Sequence, residues 1–394
     1  MAQEEEILNT SQQRLCPKLL QVTTVPATLK GFLLPFASHF RERGWEVDAM
    51  ARNAPQCAEC IEAFDHVWDV RWSRNPLDPS NLLAASRQVR KVVVSGQYDI
   101  VHVHTPVAAF VTRYALRNIR KQGKPRVIYT AHGFHFYQGG PLLKSMIFQG
   151  LEKSAGDWTD YLIVINREDE AAAKRLHLVP PQRVRYMPGI GLDTTYYAPA
   201  AVFDEDVAAV RRELGLSARD SLLLMIAGFD PGKRHRDVLQ ALARLGREDA
   251  HLAFAGEGCL FAEMKRLAGE LKIQQQVHFL GRRSDIPALV RASVATCLPS
   301  EREGLARSVM ESLSLEVPVI GANARGIRDL LDGDCGVLVE VGDVEGLRQA
   351  MAWVLEHPGE ARAMGKRGRE RMAEYDIRHI LNMHEQLYAE ALSL

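Results

Sequence analysis

Two carboxylates stand eight positions apart, Glu303 and Glu311, in the segment Pro299-Ser-Glu-Arg-Glu-Gly-Leu-Ala-Arg-Ser-Val-Met-Glu311. The segment follows an apolar run ending at Leu298, and its Gly304-Leu305 turn predicts a helix that carries Glu311. Such a helix start offers unpaired N–H groups and a positive dipole end to an anion. Glu303 and Glu311 would then accept hydrogen bonds from sugar hydroxyls. Plain solvated carboxylates at a helix start fit the spacing as well.

Other apolar runs end in loops with similar equipment. Gly228-Phe-Asp-Pro-Gly-Lys-Arg234 places Lys233 and Arg234 where a diphosphate would want cations, although a solvated basic turn has the same composition. Gly256-Glu257-Gly258 would let the backbone approach a flat ligand, and is equally good turn material. His132, in Tyr129-Thr-Ala-His-Gly-Phe-His-Phe136, sits directly past a run where it would donate to a developing charge or a hydroxyl. His102, His104, His132 and His135 lack carboxylates at ligand spacing, so no metal is expected. Asp332-Gly-Asp334 and Asp204-Glu-Asp206 read as turn and linker acids. Cys57 and Cys60 form one CxxC with no second half, and are read as a surface pair of reduced thiols.

These loops need strands to hold them. Short apolar runs predict buried parallel strands at 18–24, 99–104, 126–130, 161–165, 221–227, 251–255, 277–280 and 317–320, with a further strand at 336–339. Helical spacing fills 81–94, 108–121, 236–245 and 261–271. Strand-helix alternation of this kind predicts parallel sheets covered on both faces, an α/β class. The series starts twice, at Leu19 and at Ser221, which predicts two doubly wound domains facing each other across a cleft. The expected division is 1–196, 197–375 and a terminal helix at 376–394 packing back across the interface.

The 394 residues carry 49 Lys+Arg and 49 Asp+Glu, a balance that gives no case for a nucleic-acid binder. No apolar run reaches the ~18 residues of a spanning helix. The start, Met1-Ala-Gln-Glu-Glu-Glu6, has no secretory pattern, so the expected address is the cytosol. Neutrality hides an asymmetry, net +5 over 1–195 and net −5 over 196–394. Arg113, Arg117, Arg120, Lys121 and Lys124 at helical spacing suit an anionic membrane face or an ordinary solvated one.

Taken together, these loops resemble glycosyltransferase family 4, retaining enzymes of GT-B fold. Glu303 and Glu311 match its Glu-x7-Glu motif, Gly228 to Lys233 its donor-phosphate loop, and His132-Gly133 its active-site His-Gly. Gly189-Ile-Gly-Leu-Asp193 matches the motif before its interdomain linker, and Phe279-Leu280-Gly-Arg282 its base-contact loop. The form of these motifs is similar to the bacterial capsule and exopolysaccharide branch.

The resemblance implies transfer of a hexose-type sugar from a nucleotide donor, usually UDP, to a polysaccharide or lipid-linked saccharide without metal or other cofactor. It implies His132 and Glu303 at the reacting sugar. The donor side is implied at Gly228, Lys233, Arg234, Gly256, Glu257, Gly258, Leu280, Arg282, Glu303, Gly304, Leu305, Ala306 and Glu311. The acceptor side falls to Thr28, Lys30, Gly31, His104 and Phe134, with the inner face of the plasma membrane as an expected peripheral location. Phe229 stands where many members carry a phosphate-binding Arg, and the first loop has one Gly instead of two. An epimerase, a phosphorylase or a non-catalytic nucleotide-sugar scaffold shares the architecture. A dehydrogenase is disfavoured because the first strand lacks G-x-G-x-x-G.

Overall fold

A computed structural model describes residues 16–73, 75, 78–137 and 142–393. The chain divides into two compact units. The first comprises 1–164, 169–186 and 381–394, and the second 165–168 and 187–380. The second unit takes up the chain at Met187, because the segment before residue 197 bonds within it, as Leu192 N donates to Tyr375 O at 2.8 Å.

The first sheet contains β1 (Lys18–Val22), β2 (Glu46–Ala51), β3 (Val67–Asp69), β4 (Ile100–Val103), β5 (Arg126–Ala131), β6 (Tyr161–Val164) and β7 (Val184–Tyr186). Its order is β3-β2-β1-β4-β5-β6-β7, with every pair parallel. The second sheet contains β8 (Ser221–Ile226), β9 (Ala250–Ala255), β10 (Val277–Gly281), β11 (Ala295–Leu298), β12 (Val319–Ala322) and β13 (Gly336–Val339). Its order is β10-β9-β8-β11-β12-β13, again parallel. In both, chain order reverses beside the first strand of the series, between β1 and β4 and between β8 and β11. Ligands of such sheets bind at that switch point, past the carboxyl ends of the strands.

The strands are continuous apolar runs because both faces are covered. Leu222, Leu223, Leu224 and Met225 of β8 are fully buried, and each contributes roughly 1.5–3 kcal/mol. The helices used below are α1 (Pro106–Leu116), α2 (Leu142–Gly156), α3 (His235–Leu245), α4 (Arg307–Ser314) and α5 (Ile377–Ser393). α1 opens on Pro106, whose missing N–H costs nothing in a first turn. Pattern reading misses β2, β3 and β7. β2 interrupts its apolar run with Asp48, whose buried carboxylate accepts from Tyr98 and, at 3.4 Å, from Trp68. β3 and β7 are three-residue edge strands, too short for a period to show. Asp204–Asp206 form the first turn of the helix Asp204–Glu213 rather than a linker. Cys60 is buried, so the CxxC is not a surface pair, and burial pushes its thiol up to about 12.

Candidate functional site

In the second unit, the loops after β8 and β11 meet. Pro231–Lys233 form one 3₁₀ turn, and Lys233 Nζ pairs with Glu303 Oε1. Glu301 N bonds back to Gly232 O at 2.9 Å, which fixes one loop on the other. Gly304 and Leu305 turn the chain into α4, on which Glu311 is the fifth residue. Glu311 is only 7 % exposed, and burial raises its carboxyl above the usual range. Its Oε1 accepts from Tyr197 Oη and from Arg307 Nε, both at 2.9 Å. Arg325, buried in the loop after β12, donates through Nε to Glu303 O at 3.3 Å.

The glycines of 256–258 allow close packing between two loops. A Cβ on Gly256 would lie 2.0 Å from Ala227 O, and one on Gly258 2.6 Å from Phe229 N. They let the loop after β9 press against the loop after β8, where Phe229 N donates to Glu257 O at 2.9 Å. Phe229 is fully buried, stacked on His235 at 4.1 Å and edge-on to Phe261 at 5.0 Å. It is a core residue and offers nothing to a phosphate. Arg234 is drawn off by Asp237 and by Glu301 at 2.8 Å, while Lys233 pairs with the Glu303 carboxylate and Arg325 donates to the Glu303 carbonyl. Leu280 lies half-buried at the end of β10, and Arg282 is exposed just beyond it.

In the first unit, His132 lies just past β5, half-buried, its ring stacked against Phe32 at 6.0 Å. His104, past β4, is buried, with Nδ1 3.3 Å from His132 Nε2. Phe134 is also buried, its ring stacked on Phe136 at 4.7 Å. Thr28, Lys30 and Gly31 occupy the helical turns after β1, with Lys30 exposed and paired with Glu59. Among the described residues, no group of three or more His, Cys, Asp or Glu is arranged to hold a metal ion.

Burial holds His102 and His104 well below the usual imidazole range, and His132 at about 4. The unfolded chain therefore takes up protons that the folded chain refuses. The stabilising contribution is complete above the ordinary value of ~6.5 and is lost as pH falls from there toward ~4. Thermal unfolding is expected to move to lower temperature between about pH 7.5 and about pH 5, with a shallower slope in His102→Gln. An equal slope in the variant would contradict this.

The expected basic face does not exist as drawn. Arg113 is 2 % exposed, with Nη2 2.8 Å from Glu152 Oε2 and its guanidinium 4.1 Å over Tyr129. Arg120 pairs with Asp160, and Lys124 with Asp99 at 2.5 Å. One cluster of exposed apolar side chains lies on α2, at Leu142 (83 %), Leu143 (74 %), Met146 (68 %) and Ile147 (52 %). Among the described residues, no helix is long and apolar enough to cross a membrane.

Sheets of this order, with a carboxylate–lysine cluster past β8 and β11, define the GT-B glycosyltransferase architecture. A crystal structure of Anabaena HepE in complex with UDP-glucose superposes with a TM-score of 0.75 over 95 % of this chain and 99 % of its own, at 18 % identity. Residues 206–371 match the model for glycosyl transferases group 1, and residues 32–194 that for glycosyltransferase family 4. The Bacillus subtilis protein named "Putative glycosyltransferase EpsD" is 32 % identical over 96 % of this chain and 97 % of its own length. An Escherichia coli UDP-Gal:alpha-D-GlcNAc-diphosphoundecaprenol alpha-1,3-galactosyltransferase is 27 % identical over 68 % of each chain. The chain belongs to glycosyltransferase family 4, and it is a glycosyltransferase.

Sequence reasoning missed Tyr197, Arg307 and Arg325. Arg307 was legible, since it stands four residues before Glu311 on one helix face. Tyr197 and Arg325 reach the site by tertiary folding, and no local pattern marks them.

Proposed function

We propose that the protein transfers a hexose from a UDP-sugar to a lipid-linked saccharide, with retention at the anomeric carbon and without a metal. The observation that carries the reading is the Lys233–Glu303 pair in the loops after β8 and β11, followed on α4 by the buried carboxylate of Glu311. The UDP-glucose complex of the structural neighbour and the lipid-linked acceptor in the E. coli relative's name support the two substrate classes. The identity to the protein named "Putative glycosyltransferase EpsD" supports glycosyl transfer, and the motif resemblance to the capsule and exopolysaccharide branch suggests exopolysaccharide synthesis as its setting.

In this reading Glu311 accepts from both ribose hydroxyls, and Glu303 from a hydroxyl of the donor sugar. Lys233 and Arg325 neutralise the diphosphate. The bond from C1 to the phosphate oxygen breaks, the acceptor oxygen bonds C1 on the same face, and the acceptor proton passes to the departing phosphate. The protein positions the partners and stabilises charge on the leaving group. A lipid-linked saccharide acceptor would be tested by incubating the protein, in EDTA, with UDP-glucose, UDP-galactose and UDP-N-acetylglucosamine and a polyprenyl-diphosphate saccharide. The product is expected to keep the donor's anomeric configuration by NMR. An inverted product, or turnover only with added metal, would overturn the corresponding part.

A lipid-borne acceptor requires a membrane approach, and α2 supplies it. Four exposed apolar side chains over two turns, with exposed Lys144 and Lys153 on the same helix, suit an anionic bilayer surface. Binding to anionic vesicles is expected to drop about tenfold or more in the triple variant Leu142→Ser, Leu143→Ser, Met146→Ser. Unchanged vesicle binding would overturn this role. So would loss of a dimer in the variant, which would assign the face to a second copy.

A further inference from the structure

The first unit holds a line of buried polar side chains that none of the roles above uses. Gln21 of β1 and His102 of β4 are register partners on adjacent strands, and both are fully buried. His104 follows β4, Thr130 is on β5, and Tyr388 comes from α5. His104 Nε2 lies 2.7 Å from Gln21 Oε1, and His104 Nδ1 lies 3.3 Å from His132 Nε2. On the other side, Gln21 Nε2 lies 3.5 Å from Tyr388 Oη, which lies 2.6 Å from His102 Nδ1, and His102 Nε2 lies 2.7 Å from Thr130 Oγ1.

Proton positions follow from the chemistry of each group. An amide oxygen only accepts, so the proton between Gln21 and His104 is on His104 Nε2. A neutral imidazole carries one N–H, so His104 Nδ1 accepts, and His132 Nε2 must donate to it. His132 is then left with a bare lone pair on Nδ1. The other branch runs consistently outward from Gln21. Its amide donates to Tyr388, Tyr388 donates to His102 Nδ1, and His102 donates to Thr130. All bonds in the line are made with three neutral imidazoles, the state burial favours.

We infer that Gln21 and His104 lock the proton of His132 on Nε2, so that Nδ1 meets the bound saccharide as an acceptor of a hydroxyl hydrogen. The identity of that ligand rests on the proposed function, whereas the tautomer does not. Gln21 and His104 are positioning residues, and the lock reverses the simplest expectation, in which His132 is a donor. A Gln21 amide turned the other way would donate to His104 and place the proton of His132 on Nδ1. The two arrangements give His132 opposite tautomers, and therefore opposite roles.

The test is long-range ¹H–¹⁵N NMR on the full chain with labelled histidine, without substrate, His132→Asn identifying the signals. The expected result is a protonated Nε2 and an unprotonated Nδ1 at His132. A protonated Nδ1 would overturn the inference. Gln21→Leu removes the acceptor and should mix the tautomers, with kcat down on the order of 100-fold and little change in KM. Gln21→Glu keeps the acceptor and should restore the wild-type tautomer. Wild-type spectra at His132 in folded Gln21→Leu would contradict the lock. If Gln21→Leu fails to fold, the wild-type spectrum decides alone. A chain with the expected tautomer that turns over no nucleotide-sugar would remove the proposed function and leave the lock in place.

Discussion

Glu311→Ala is expected to remove measurable binding of UDP and its sugars. A carboxylate accepting from a ribose diol makes charge-assisted bonds of about 1.5–3 kcal/mol each, so losing two weakens binding on the order of 100-fold or more. The site also explains why alanine needs a companion variant. Glu311 Oε1 is already held by Tyr197 and Arg307, and truncation strands both. Glu311→Gln keeps an oxygen for those neighbours while it removes the charge. It should fold with the wild-type unfolding temperature and still bind at least tenfold more weakly. Wild-type affinity in the glutamine variant would show that Glu311 only holds α4 in place.

Lys233→Ala is expected to lower kcat on the order of 1,000-fold while UDP affinity changes far less. The ammonium faces charge that grows as the diphosphate departs, so its contribution is largest in the transition state. It now rests on Glu303, and removing it leaves that carboxylate beside an incoming anion. Lys233→Arg should recover only part of the rate, because a planar fork does not replace a compact point charge. Equal losses in donor binding and in kcat/KM, with kcat intact, would assign Lys233 to ground-state binding. Steady-state kinetics across the donor concentration range separates the outcomes.

Much of this site was legible in the sequence because the loops follow apolar runs that can only be buried strands. The end of β8, the end of β11 and the end of β5 were placed within a residue or two, and with them Lys233, Glu303 and His132. What stayed hidden depends on partners distant in the chain. Arg113 reads as a surface cation until Glu152, 39 residues on, is folded against it. Phe229 reads as a missing phosphate ligand until His235 and Phe261 are seen to enclose it. The packing of Gly256 against Ala227 likewise shows only once the loops after β8 and β9 are folded together. The line from Gln21 to Tyr388 joins residues 367 positions apart, and no periodicity announces it. Strand and loop positions are local properties of sequence, whereas the state of each side chain is settled by tertiary neighbours.

The most direct measurement is calorimetric titration of the intact protein with UDP, GDP and ADP in the presence of EDTA, repeated on Glu311→Gln. UDP-selective binding that survives EDTA and weakens in the variant is the predicted result. Equal affinity for the three nucleotides, binding that requires a divalent ion, or a variant that binds as wild type would contradict the account.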